Sequence, residues 1–252
     1  MKKHIALFST TLLFASFLGG ARAFADEPNH NTPNPGSETT EVTGKLDLSA
    51  DGGFNPNPPS SDWNEKTGID TSYFGIAYAP KTFNIGKNVK LADTNESQSI
   101  IMQGPDESEG KNNSFHIAVK DKYREDNRGW VLKAKLGEAI DQENLGISIK
   151  TLTTENSVKR NINNGSEQFN EEKHLIEQVK KYDSNNIEVT NKANLEITTN
   201  DAEVMKSVQG QFVNGAYDLE LPQVELYIPD ASKVKAQTLS TNVTWTLENA
   251  AN

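Results

Sequence analysis

Apolar residues recur at every second position through much of the chain. Leu46 and Leu48 alternate, as do Phe115, Ile117 and Val119, and then Trp130, Leu132, Ala134 and Leu136. The pairs Ile147/Ile149, Ile187/Val189, Leu195/Ile197 and Leu219/Leu221 follow, then Val224, Leu226 and Ile228, and finally Val243, Trp245 and Leu247. A period of two puts all members of a run on one face of a strand. Turn formers separate the runs at Asn163-Asn164-Gly165, Asn214-Gly215 and Pro229-Asp230. Many short strands with one apolar face each predict an all-β, two-sheet, sandwich-like single domain. One segment departs from this period. Between Gln168 and Tyr182, the residues Phe169, Leu175, Ile176, Val179 and Tyr182 fall at roughly helical spacing among Glu, Lys and Gln, which predicts one short helix.

The ends of the chain read differently. Met1-Lys2-Lys3 is a short basic start, Ile5 to Leu18 an apolar stretch, and Ala21-Arg22-Ala23 and Ala23-Phe24-Ala25 are small-x-small sites. That order is a secretory signal peptide, with cleavage expected after Ala25 and Ala23 as the alternative. The apolar stretch is short for a membrane span, and no stop-transfer flank follows it. Residues 26–41 hold no apolar side chain other than proline, as in a solvated spacer. The expected organisation is a signal peptide at 1–25, a spacer at 26–41 and one domain at 42–252, with no transmembrane segment in the mature chain.

Charge narrows the partners. The chain carries 25 basic and 35 acidic side chains. Removing Lys2, Lys3 and Arg22 with the signal peptide leaves 25 − 3 = 22 against 35, a net charge of −13. A nucleic-acid binder needs clustered cations to neutralise phosphates, so that class is excluded. There is no cysteine, so an exported chain of this kind relies on its core instead of disulfides, which suits a Gram-positive secreted protein.

Catalytic and metal signatures are missing. No Gly-x-Ser-x-Gly elbow and no His-Glu-x-x-His pair occurs. Ser108-Glu109-Gly110-Lys111 and Lys66-Thr67-Gly68 spell two penicillin-enzyme motifs, but in the wrong order and without Ser-Asp-Asn. Glu171-x-x-His174 is half of a metal site with no second half. No catalytic residue, metal or cofactor is expected. The chain ends at Ala250-Ala251-Asn252 without a Leu-Pro-x-Thr-Gly sorting signal, so any retention at the surface is expected to be non-covalent.

Two segments carry a family likeness. Asp126-Asn127-Arg128-Gly129-Trp130-Val131-Leu132 and Thr244-Trp245-Thr246-Leu247 each spell Trp-x-Leu, the first behind an Asp-x-Arg-Gly lead-in and the second at the C-terminus. With Pro80-Lys81-Thr82-Phe83-Asn84-Ile85-Gly86 and Val224-Glu225-Leu226-Tyr227-Ile228-Pro229, the set resembles the WxL domain of Gram-positive surface proteins over nearly all of residues 42–252. One departure is the absence of proline soon after the second Trp-x-Leu. The resemblance implies a secreted, non-catalytic protein that attaches non-covalently to the cell wall, with peptidoglycan or an associated wall polymer as ligand. It also implies, as the alternative, a structural subunit that binds a membrane-anchored surface protein encoded nearby. A wall-modifying enzyme is the third reading, against which the missing catalytic signatures count.

The residues themselves leave the contact surface open. Trp130, Leu132, Ala134 and Leu136 share one strand face, and Lys133 and Lys135 the other. Both signature tryptophans are then either core residues that fix the fold or ligand contacts. Lys120, Lys122, Arg124, Arg128, Lys133 and Lys135 crowd into one short stretch and are either a patch for an anionic wall polymer or members of local ion pairs with Asp121, Glu125 and Asp126. Phe54, Trp63, Tyr73, Phe74 and Tyr78 lie in a Pro/Gly-rich region and either present rings for sugar stacking or pack beneath their own loop.

Overall fold

The computed structural model describes residue 33 and residues 35–47, 53–69, 72–105, 113–125, 127–178, 187–210 and 213–250. The chain divides into two units, Met1–Asp47 and Leu48–Asn252. In the first, residues 37–47 form no helix or strand, and Val42 and Leu46 are exposed. The alternation at Leu46/Leu48 therefore marks no strand at Leu46. Two isolated apolar residues amid Lys45 and Asp47 supply too little surface to bury. Leu48 lies outside the described residues.

The second unit is all-β. Its strands are β1 (Asn64–Lys66), β2 (Phe74–Pro80), β3 (Gln98–Ile101), β4 (Phe115–Asp121), β5 (Trp130–Leu136), β6 (Ser148–Thr151) and β7 (Lys159–Asn161). After α1 (Glu171–His174), the single α-helix among the described residues, come β8 (Leu175–Ile176), β9 (Leu195–Ile197), β10 (Ala202–Ser207), β11 (Gly215–Leu221), β12 (Glu225–Ile228), a 3-10 turn at Ala231–Lys233 and β13 (Val243–Asn249). They form three antiparallel sheets ordered β1-β2-β4-β11-β7-β8, β10-β5-β13 and β3-β12-β6-β9. Most of the period-two residues, among them Phe115, Trp130, Leu132, Ile149 and Leu226, meet in one core that also takes in Trp63 and Tyr217.

Three departures from the expected pattern have physical causes. Strand β4 is buried along its whole length rather than on one face. Its second face, with His116, Ala118 and Lys120, is covered by polar segments from earlier in the chain. The helix expected over 168–182 is a single turn. Asn170 caps it by accepting the Lys173 N–H at 3.1 Å. The chain then leaves the helix because Leu175 and Ile176 pair with Asn161 and Arg160 of β7. Val179 and Tyr182 lie outside the described residues. Ile187 and Val189 form no strand either. Gln178 takes the place of a neighbouring strand: its Oε1 accepts the Val189 N–H at 2.9 Å, and its Nε2 donates to the carbonyls of Val158 and Val189.

Candidate functional site

Strand β5 sits between β10 and β13, and its register with β13 brings the two Trp-x-Leu segments together. Leu132 faces Leu247, Trp130 faces Asn249, and Ala134 faces Trp245. Trp130 is 1% exposed and packs near Phe74 and Tyr217, with ring centroids 6.5 Å and 6.4 Å away. Leu132, Ala134 and Leu136 are buried beside it. Trp245 and Leu247 are half-buried against the same core. Gly129 must be glycine, because a Cβ there would lie 2.7 Å from the Ser207 carbonyl oxygen and 2.9 Å from the Gln209 nitrogen. Its own carbonyl accepts the Ala250 N–H at 2.8 Å, which fastens the C-terminal end of β13 to the start of β5.

The basic residues divide. Arg128 donates to Asp121 Oδ2 at 2.8 Å and lies over the rings of Phe74 and Tyr123, at 4.4 Å and 4.5 Å. Burial pushes the Asp121 carboxyl above its ordinary value, and the Arg128 pairing opposes that shift without cancelling it. The Trp130 indole N–H also favours this carboxylate but makes no full hydrogen bond. Lys120 and Lys122 are buried, so they form no surface patch; Lys122 donates to the Phe54 carbonyl at 2.9 Å, and its Nζ lies 3.2 Å from the centre of the Phe54 ring. Arg124 is exposed at a left-handed position, φ 58°. Asp126 lies outside the described residues. Lys133 and Lys135 remain on the outer face of β5, where Lys133 bonds Glu248 at 2.7 Å and Lys135 approaches Asp201 at 3.6 Å. Among the described residues, only Asp121 of the expected local partners is engaged, by Arg128; Lys133 and Lys135 pair instead with Glu248 and Asp201, which are distant in sequence.

The aromatic residues do not form one exposed platform. Trp63 is buried and stacks on Phe115 at 4.6 Å. Tyr78 is buried and donates to Asp218 Oδ2 at 2.7 Å. Tyr73 and Phe74 are half-buried, Tyr73 against Tyr123 at 5.5 Å. Only Phe54 is exposed, and it is held by Lys122.

A polar chain that no spacing in the sequence revealed runs behind β4. Ser114 Oγ lies 2.7 Å from His116 Nε2, and His116 Nδ1 lies 2.9 Å from Asp218 Oδ1. Burial alone would lower the His116 pKa, but the Asp218 charge and hydrogen bond outweigh it and hold the imidazole above its ordinary 6.5. The order Ser–His–Asp is that of a nucleophile relay. The backbone donors nearest the serine are occupied, however. The Ser114 N–H goes to Ser60 Oγ at 3.1 Å and the His116 N–H to Asn64 Oδ1 at 2.8 Å. Neither can serve an oxyanion. The chain ties β4 to β11 and to the Pro-rich loop.

A cleft of about 1190 Å³ opens elsewhere. Its interior includes Ile100, Met102, Ile149, Leu226, Ile228 and Trp245, and its rim is formed by residues 80–91 and 234–242. The rim carries the exposed Lys81, Lys87, Lys90 and Lys235, and no carboxylate is among the described lining residues. Among the described residues no cluster of His, Cys, Asp and Glu could hold a metal ion, and no helix is long and apolar enough to cross a membrane.

The family model described as "WxL domain surface cell wall-binding" matches residues 28–250. No curated protein and no solved structure matches the chain. The matched span takes in both Trp-x-Leu segments, the Pro80–Gly86 and Val224–Pro229 segments, and every strand from β1 to β13.

Proposed function

The chain belongs to the WxL family of cell-wall-binding surface proteins, and on that premise we propose that it attaches non-covalently and without catalysis to peptidoglycan or a polymer associated with it, through the outer face of β5 and β13. The wall-binding role and the surface location follow from the family. Export from a Gram-positive cell by the residue 1–25 signal peptide is part of the same reading.

The observation that carries the choice of surface is the β5–β13 register. It turns Trp130, Leu132 and Leu247 inward, so the signature side chains are engaged in the fold. The same register leaves Lys133 opposite Thr246 and Lys135 opposite Thr244 on the outward face. This face presents the ammonium groups of Lys133 and Lys135 beside threonine hydroxyls and the paired carboxylates of Glu248 and Asp201. Its ion pairs with Glu248 and Asp201 are exposed and therefore exchange readily for carboxylates or hydroxyls of a polymer. Absence of catalysis is supported by the occupied donors around Ser114. The test is cosedimentation of purified residues 26–252 with cell walls stripped of protein. Saturable binding is expected, and protein left entirely in the supernatant would refute direct wall attachment.

A further inference from the structure

We infer that the side of the domain between β3 and β13 is built to receive an extended segment of a partner protein, which adds to the free edge of β13. The two smaller sheets are joined on one side only. There, β9 packs against both β10 and β5. On the other side β13 and β3 are each the last strand of their sheet, and no comparable contact joins them. The cleft opens at this side, with Ile100 of β3 on one wall and Trp245 of β13 on the other. Between them the core is short of a strand.

The chemistry of the gap selects the occupant. Its floor is aliphatic, with Met102, Ile149, Leu226 and Ile228. Such a floor offers no hydrogen bonds to sugar hydroxyls, and burying those hydroxyls against it is unfavourable. A strand meets both needs of the site. Its main chain satisfies the free N–H and C=O groups along β13, and every second side chain fills the apolar floor. Charge then sets the flanks of the segment. Of the rim lysines, Lys235 is paired with Glu143 and Lys81 donates to the Ser61 carbonyl, so Lys87 and Lys90 are the charges that call for acidic residues where the incoming segment passes the rim. The protein's own spacer, residues 26–41, is acidic but has no apolar side chain besides proline, and cannot fill the floor. The site uses the edge and inner side of β13, whereas the proposed wall surface is the outer face of β5 and β13, so substitutions at Lys133 and Lys135 separate the two.

The test is selection of random peptides of about ten residues, the length of a full strand, displayed on phage and panned against residues 26–252. The expected consensus alternates aliphatic residues and ends in Asp or Glu. Selected peptides should protect β13 amides from hydrogen exchange, lose at least about tenfold in affinity with Lys87→Glu/Lys90→Glu, and bind Lys133→Ala/Lys135→Ala normally. The charge-reversed protein should still bind walls, and its unchanged melting temperature would show that it folds. Failure to select such a consensus, or peptides indifferent to Lys87→Glu/Lys90→Glu, would overturn the inference. So would soluble wall fragments protecting the β13 amides in place of peptides, or a stable dimer in which a second copy covers them.

Discussion

Leu132 and Leu247 are cross-strand partners, which gives the doubled Trp-x-Leu signature a physical reason: each segment is the other's neighbour in the sheet. Trp130 is the sealed member of the pair. Trp130→Ala should lower stability by about 3–5 kcal/mol, through lost burial and the void left behind. Chemical denaturation measures this loss, and a shift under 1 kcal/mol would mean that Trp130 is not core. Of the residues in the Asp-x-Arg-Gly lead-in, Gly129 is fixed by the backbone of β10, and Arg128 by Asp121 seven residues upstream. The alternation around Trp130 put it on one strand face with Leu132, Ala134 and Leu136, and the packing of the sheets made that face core. The burial of Lys120 and Lys122 was not legible, because what covers them, the 53–60 loop, arrives from over sixty residues away. His116 adds a pH dependence. Its folded-state pKa is raised, so its contribution is fully present below pH 6.5 and is lost as pH rises through the folded value. The urea midpoint of the wild type should therefore fall over this range, and Asp218→Asn, which removes the raising charge, should flatten that fall. An equal slope in both proteins would contradict the assignment.

At the scale of elements, period and tertiary pairing compete. Strands β5 and β12 follow their alternation directly, whereas β4 and β11 are buried on both faces. The segment after Gln168 has helical spacing, yet Leu175 and Ile176 join β7, because the ladder and core contacts there outweigh a weak local preference. The strand expected at 187–189 is replaced by the side chain of Gln178, a substitution no periodicity can signal. Strand β13 is the element on which the second sheet depends most. It pairs with every residue of β5 along one edge, and Ala250 fastens it to Gly129. Ending the chain after Asn242 should expose the β5 edge and the Trp130 face and abolish cooperative thermal unfolding. A truncated protein that melts near the full-length temperature would show that β13 is dispensable.

At the scale of the molecule, the sequence conveyed an all-β fold with a single short helix, and the family signature conveyed wall binding. Three sheets in place of two, and the cleft between the edges of β3 and β13, depend on how sheets pack rather than on any one strand's pattern. The cleft lysines were hidden for the same reason: Lys81, Lys87 and Lys90 are scattered through one loop, and Lys235 comes from about 150 residues later. In the proposed reading the molecule separates its surfaces: Trp130 and the two leucines of the signature hold the fold, the outer β5 face is assigned to the wall, and the open sheet edge is assigned to a partner. The most direct test is the wall-binding isotherm of Lys133→Ala/Lys135→Ala at low salt, where charge contacts are least screened. Affinity should drop about fivefold, as expected for two exposed contacts of ~0.5 kcal/mol each, with the melting temperature unchanged. An isotherm that overlays the wild type would contradict the assignment of this face to the wall.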